Sequence, residues 1–142
     1  MNGLLKKRRS DRERRRGAEV LEAALVLPIV LLLVSGMVEF AYFFHLQHNL
    51  TSAAREGARA GVPFGAGNSD IDTAIDKVMN SVGLKKADFD VSVTPGDVLN
   101  APAGSDVTVT ISAKWSKVGI SLFGLIKGDQ LVKGAVVMRK EG

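Results

Sequence analysis

Residues 23–38, AALVLPIVLLLVSGMV, run for sixteen positions without a charge, and apolar character resumes beyond Glu39 as FAYFFHL up to Leu46. These 24 residues hold one acid. A helix of about 20 apolar residues crosses a bilayer, so the run predicts one membrane-spanning helix with length left for tilt. Its fourteen Leu, Ile, Val and Phe residues each favour insertion by about 0.3 to 0.6 kcal/mol, which together outweigh one acid costing about 3 at the centre. The alternative, a core helix of a soluble protein, seldom carries so long an unbroken run.

Past this run a helical period continues. Leu46, Leu50, Ala53, Ala54, Gly57, Ala58 and Gly61 recur at offsets of three and four, which puts small and apolar residues on one face and Thr51, Ser52, Arg55, Glu56 and Arg59 on the other. The helix should extend about 24 Å beyond the lipid. Gly61-Val62-Pro63 stops it and Gly65-Ala66-Gly67 forms a turn. The stripe is suited to packing on the chain's own sheet, on another subunit, or on both. A second helix is expected from Ser69, capped with Asp72, along the stripe Ile71, Ala74, Ile75, Val78, Met79 and Val82, and closed by Gly83.

Alternation then takes over. Phe89, Val91 and Val93 alternate with polar residues before Pro95-Gly96; Val107, Val109, Ile111, Ala113 and Trp115 do the same; residues 131–139 are rich in Val with Gly134 between. Three antiparallel strands are predicted. The apolar stretch ISLFGLIKG, residues 120–128, reads as a segment under the sheet, with a place on the membrane surface as the alternative. The fold class is therefore α+β: a long N-terminal transmembrane helix continuing into a small domain with a second helix and an antiparallel sheet of about three strands.

Composition sharpens this picture. At 142 residues there is room for one compact domain plus an appendage, and zero Cys excludes disulfides, thiolate metal sites and a cysteine nucleophile. Residues 1–16 carry eight of the 19 Lys and Arg against Asp11 and Glu13, so the formal charge of +4 is a terminal arm of +6 on a body of −2. Eight basic residues precede the apolar run within residues 1–22, whereas residues 47–66 contain only Arg55 and Arg59. That asymmetry keeps the N terminus in the cytoplasm and the C-terminal domain outside it. A removable secretory signal is the competing reading, but the small-x-small site Ala58-Arg59-Ala60 lies too far downstream. A nucleic-acid arm is the other, and the adjacent membrane span accounts for the charges without it.

Chemistry is scarce. His45 and His48 stand three apart on the helix with no third ligand nearby, and Asp70, Asp72 and Asp76 lack the glycine and bidentate Glu of a calcium loop. No glycine-rich phosphate loop or nucleophile elbow is present. The expectation is no catalytic residue, no metal, no cofactor, no enzyme and no nucleic-acid partner.

The junction of arm and helix is more informative. Arg14-Arg15-Arg16-Gly17 precedes Ala18-Glu19-Val20-Leu21-Glu22, a pattern that resembles a class III or type IV prepilin leader. Cleavage after Gly17 would leave Ala18 as the new N terminus and Glu22 as its fifth residue. Glycine permits the unwound, side-chain-free bond a peptidase needs. A carboxylate entering an apolar helix needs a cation, which a neighbouring subunit's α-amino group could supply. The structural alternative is that Gly17 merely begins a helix whose Glu19 and Glu22 favour the positive end of its dipole.

The wider stretch, residues 15–62, resembles the TadE-like proteins of the tight-adherence (Flp) pilus assembly system. The resemblance rests on Glu22, Leu27-Pro28, Gly36-Met37-Val38-Glu39-Phe40 and the run from Thr51 through Ala53, Ala54, Arg55, Glu56, Gly57 and Ala58 to Ala60. It implies a minor, pilin-like (pseudopilin) membrane component, with residues 1–17 as a basic prepilin-type leader, 18–61 as the transmembrane and extended helix, and 62–142 as a small extracytoplasmic domain. Glu22 is followed by Ala23 where the major Flp pilins carry Tyr, which argues against a main pilus subunit. Implied partners are the membrane, a prepilin peptidase, and other pilin-like subunits and assembly proteins, in a homo-oligomer or heteromer. The expected processing site is Gly17, Ala18 and Glu22; the expected assembly residues are Glu22, Glu39, Ala53, Ala54, Arg55, Glu56, Gly57 and Ala58. The expected location is the bacterial cytoplasmic membrane as a single-pass protein or the pilus itself. The alternative function is an unprocessed bitopic anchor or scaffold of another secretion or envelope complex.

Overall fold

The computed structural model describes residues 2–120 and 124–141, with side chains described from residue 17 onward. The side chains of the basic arm and residues 121–123, part of the apolar 120–128 stretch, lie outside the described residues. In chain order the elements are α1 (Asn2–Gly61), α2 (Asn68–Ser81), β1 (Asp90–Thr94), β2 (Asp106–Lys114), α3 (Trp115–Val118) and β3 (Leu131–Arg139). The fold is α+β, as the alternating periods predict. Two compact units divide the chain, Met1–Val38 and Glu39–Gly142.

The first unit is the N-terminal part of α1. It continues through Pro28, whose missing N–H leaves the Ala24 carbonyl without its usual helix donor. From Val20 to Val38 its large apolar residues are exposed.

The second unit is built on the rest of α1. Its core joins Leu46, Leu50, Ala53, Ala54 and Ala58 of that helix to Ile71, Ile75 and Met79 of α2 and to Val107, Val109, Ile111, Ala113 and Val132 of the sheet. Each large aliphatic side chain taken fully from water here contributes about 1.5 to 3 kcal/mol before the entropy of ordering it. The sheet order is β1-β2-β3 with both pairs antiparallel. Register sets which face is buried: Val109 lies between Val93 and Val136, and Ile111 between Val91 and Gly134. Gly134 therefore leaves a notch beside Ile111, and the α1 backbone at Leu50 and Thr51 occupies it.

Two local expectations shift. The cap of α2 is two residues earlier than the sequence suggests: Gly67 is the N-cap, and its N–H donates to Asp70 Oδ2 at 2.9 Å. The Asn68 side chain is engaged in tertiary bonds, donating to the Gly96 carbonyl and accepting from the Val98 N–H at 3.2 Å, which draws the helix start back toward that loop. Trp115 does not end β2; it opens the one-turn α3 and is buried there.

Candidate functional site

Helix 17–61 is long and apolar enough to cross a membrane. Leu25, Leu27, Ile29, Leu31, Leu33 and Met37 are each at least half exposed, an apolar surface far larger than water tolerates on a soluble monomer. Gly17, Ala18 and Glu22 are exposed as well. Nothing lies within 4 Å of where a Cβ on Gly17 would stand, so no packing contact requires glycine at that position.

Glu39 is positioned otherwise. It is fully buried, and its Oε1 accepts a hydrogen bond from the Ile126 N–H at 3.0 Å. This donor comes from a loop 87 residues away in the same chain. Its Oε2 is buried with no hydrogen-bond partner among the described residues. The loop that supplies the donor is held at its other end by α3: the Trp115 N–H donates to the Gln130 carbonyl at 2.8 Å and the Ser116 N–H to the Gly128 carbonyl at 2.9 Å. Trp115 in turn packs against Tyr42 and Phe43, with ring centroids 6.0 and 5.6 Å away. Phe40, Phe43, Leu125, Ile126, Lys127 and Gln130 line an open groove of about 300 Å³.

The small-residue stripe faces the chain's own domain. Ala53, Ala54 and Ala58 are fully buried, and a Cβ on Gly57 would stand 2.7 Å from Ile75 Cγ1. Gly61 approaches Ile71 Cδ1 equally closely. Small residues let α2 lie against α1 at this distance. Arg55 and Glu56, on the opposite face, are exposed.

The other singled-out polar residues have local roles. His45 and His48 are exposed, and the His45 ring shares a hydrogen bond with Asn49 at 3.1 Å. Lys86 lies 3.6 Å from Asp72 and 3.4 Å from Asp76; chiefly through the charge of Asp72 these acids raise its pKa. Asp70 serves the α2 cap. No group of three metal-ligating side chains occurs among the described residues. Asp97 is held below the ordinary aspartate range, chiefly by the Asn100 side chain that donates to it at 2.7 Å.

Sequence reasoning singled out Glu39 but missed a second polar anchor. Lys140 is buried, with its ammonium donating to the Val98 carbonyl; nothing in a lysine after a strand announces this. Glu39 carried a usable signal, because an acid in an apolar helix demands a partner, but its donor is a backbone N–H, which no side-chain pattern encodes.

Among curated proteins and among solved structures no match was found. The profile of the TadE-like protein family matches residues 17–59. That stretch begins at the glycine ending the basic arm, contains the outward-facing apolar helix and Glu39, and stops two residues before α1 ends. Over this helix the chain is similar to the TadE-like protein family.

Proposed function

We propose that this protein is a minor, pilin-like component of Tad pilus assembly that acts by packing against other subunits rather than by catalysis. The observation that carries the reading is the family match beginning at Gly17, the residue after which a prepilin peptidase would cut. In this account residues 1–17 are a leader, residues 18–61 form the membrane helix and its extension, and residues 62–142 form a domain outside the cytoplasm. Cleavage exposes the Ala18 amine, and Glu22 pairs with the corresponding amine of a neighbouring subunit within the membrane, where an unpaired carboxylate is costly. Glu39 supports the base of the domain from within. The small face of Ala53, Ala54, Gly57 and Ala58 holds the domain to its helix, while Arg55 and Glu56 are available to other subunits.

Intact mass of the protein isolated from its native membrane tests this. The expected result is loss of residues 1–17 in the wild type and their retention in Gly17→Ala. A full-length mature wild-type protein would overturn the processing and favour an unprocessed bitopic anchor.

A further inference from the structure

The helix is not the only apolar surface near the membrane boundary. Leu125 is 47 % exposed in loop 124–127, and Phe40 and Phe44 on α1 are 51 % and 63 % exposed. The groove already described lies among Phe40, Phe43, Leu125 and Ile126, with Lys127 and Gln130 as its polar lining. All of these residues belong to the second unit.

Depth follows from counting along the helix. With the uncharged run starting at Ala23, about 20 residues fill the hydrocarbon core and bring its far edge to the neighbourhood of Tyr42. Glu39 then sits about 4.5 Å short of that edge at 1.5 Å per residue. The Ile126 N–H is hydrogen-bonded to this carboxylate, so the loop reaches the level where lipid headgroups give way to acyl chains. The loop cannot drift from there freely, since Gly128 and Gln130 are tied to α3 by backbone bonds. Its position also covers Glu39, an acid that is costly to expose to lipid.

We propose that loop 124–127 is a second membrane contact, with Leu125 inserted into the lipid interface on the domain's side and the adjoining groove taking a phospholipid acyl chain. Continuity with the membrane helix identifies the occupant: Phe40 and Phe43 line the groove and belong to the helix that crosses the bilayer. Lys127, exposed at the rim, is of the right kind to reach a phosphate while its stem stays on the apolar surface. The consequence is orientational. A domain held to the bilayer by both a helix and a loop is fixed in tilt, whereas one held by a helix alone swings. This rests on the membrane span and goes beyond the pilus-assembly reading, which requires no such contact.

The absence of cysteine makes the test direct. Full-length Leu125→Cys, Met37→Cys and Lys133→Cys are each labelled with a polarity-sensitive fluorophore in vesicles of phosphatidylethanolamine and phosphatidylglycerol. Quenching is read with nitroxide lipids and with aqueous iodide. Met37 reports the span and Lys133, exposed on β3, reports solvent. The expected result is a blue-shifted label at 125, quenched more by nitroxide near the headgroup than by nitroxide near the chain end, and several-fold less by iodide than the label at 133. Adding Glu39→Leu should release the loop and raise iodide quenching at 125 several-fold while leaving Met37 unchanged. If the label at 125 is as open to iodide as that at 133 while Met37 remains quenched by lipid, the span stands and the loop contact is refuted. Protection from both quenchers at 125 means a second copy covers it, which equally overturns the proposal. Loss of lipid quenching at Met37 would remove the span, and the loop contact with it.

Discussion

A Cβ placed on Gly134 would stand 2.6 Å from the carbonyl carbon of Leu50, so β3 and α1 meet backbone to backbone at this point. Neither partner can yield by rotating a side chain. Gly134→Ala should therefore destabilise the domain by about 1 to 3 kcal/mol, the usual cost of overpacking. Gly61→Ala should cost less, because the atom it meets first, at 2.7 Å, is Cδ1 of Ile71, the far end of a flexible side chain. Urea unfolding in mild detergent, followed by the fluorescence of the single Trp at position 115, separates the two. Equal midpoints would contradict the close approach.

Glu22 is exposed and near the start of the apolar run. If it pairs with another subunit's amine, Glu22→Ala should insert and fold normally yet co-purify poorly with other pilin-like components. A role limited to the helix dipole is worth only about 0.3 to 1 kcal/mol and predicts normal assembly. Pull-down from matched membranes at the wild-type level would remove the intermolecular role.

The eight basic residues before the candidate span against two after it predict an N-in orientation. A reporter fused to the C terminus should be active only outside the cytoplasm. Reversal should need several of Lys6, Lys7, Arg8, Arg9, Arg12, Arg14, Arg15 and Arg16 to be replaced together, and no single replacement should suffice. Activity of the wild-type fusion in the cytoplasm would refute the N-in arrangement.

Asp97 supplies a pH dependence of known sign. Hydrogen bonds from the Asn100 side chain and N–H hold its folded pKa below the ordinary 3.8. Its contribution is then complete above that value and is lost as pH falls through the lower folded one. Asp97→Ala should flatten the acid limb of a melting-temperature profile slightly and leave its shape unchanged above the carboxylate range. A variant whose acid limb is as steep as the wild type's would show that the turn at residues 97–100 contributes nothing.

Much of the architecture is written in local pattern. A strand over residues 131–139 and a helix stop at Gly61 are legible because alternation and small-residue periodicity report which face is buried, and both appear at those bounds. The α2 cap is less legible: Ser69 and Asp72 have capping chemistry, but Asn68 is held by Gly96 and Val98, about 30 residues away. Trp115 fits the alternation of β2, and its N–H still reaches the Gln130 carbonyl, yet it begins α3.

Residue order alone determined the membrane helix, its charge asymmetry, the leader-like glycine and the α+β alternation, since each is a property of consecutive residues meeting lipid or water. Tertiary structure alone decided what the small-residue stripe and Glu39 touch. A face of Ala and Gly offers close approach to any backbone, and only the folded chain shows that α2 takes it. A carboxylate in an apolar helix calls for some donor, and only the closing of loop 124–127 onto α1 reveals that the donor is the N–H of Ile126.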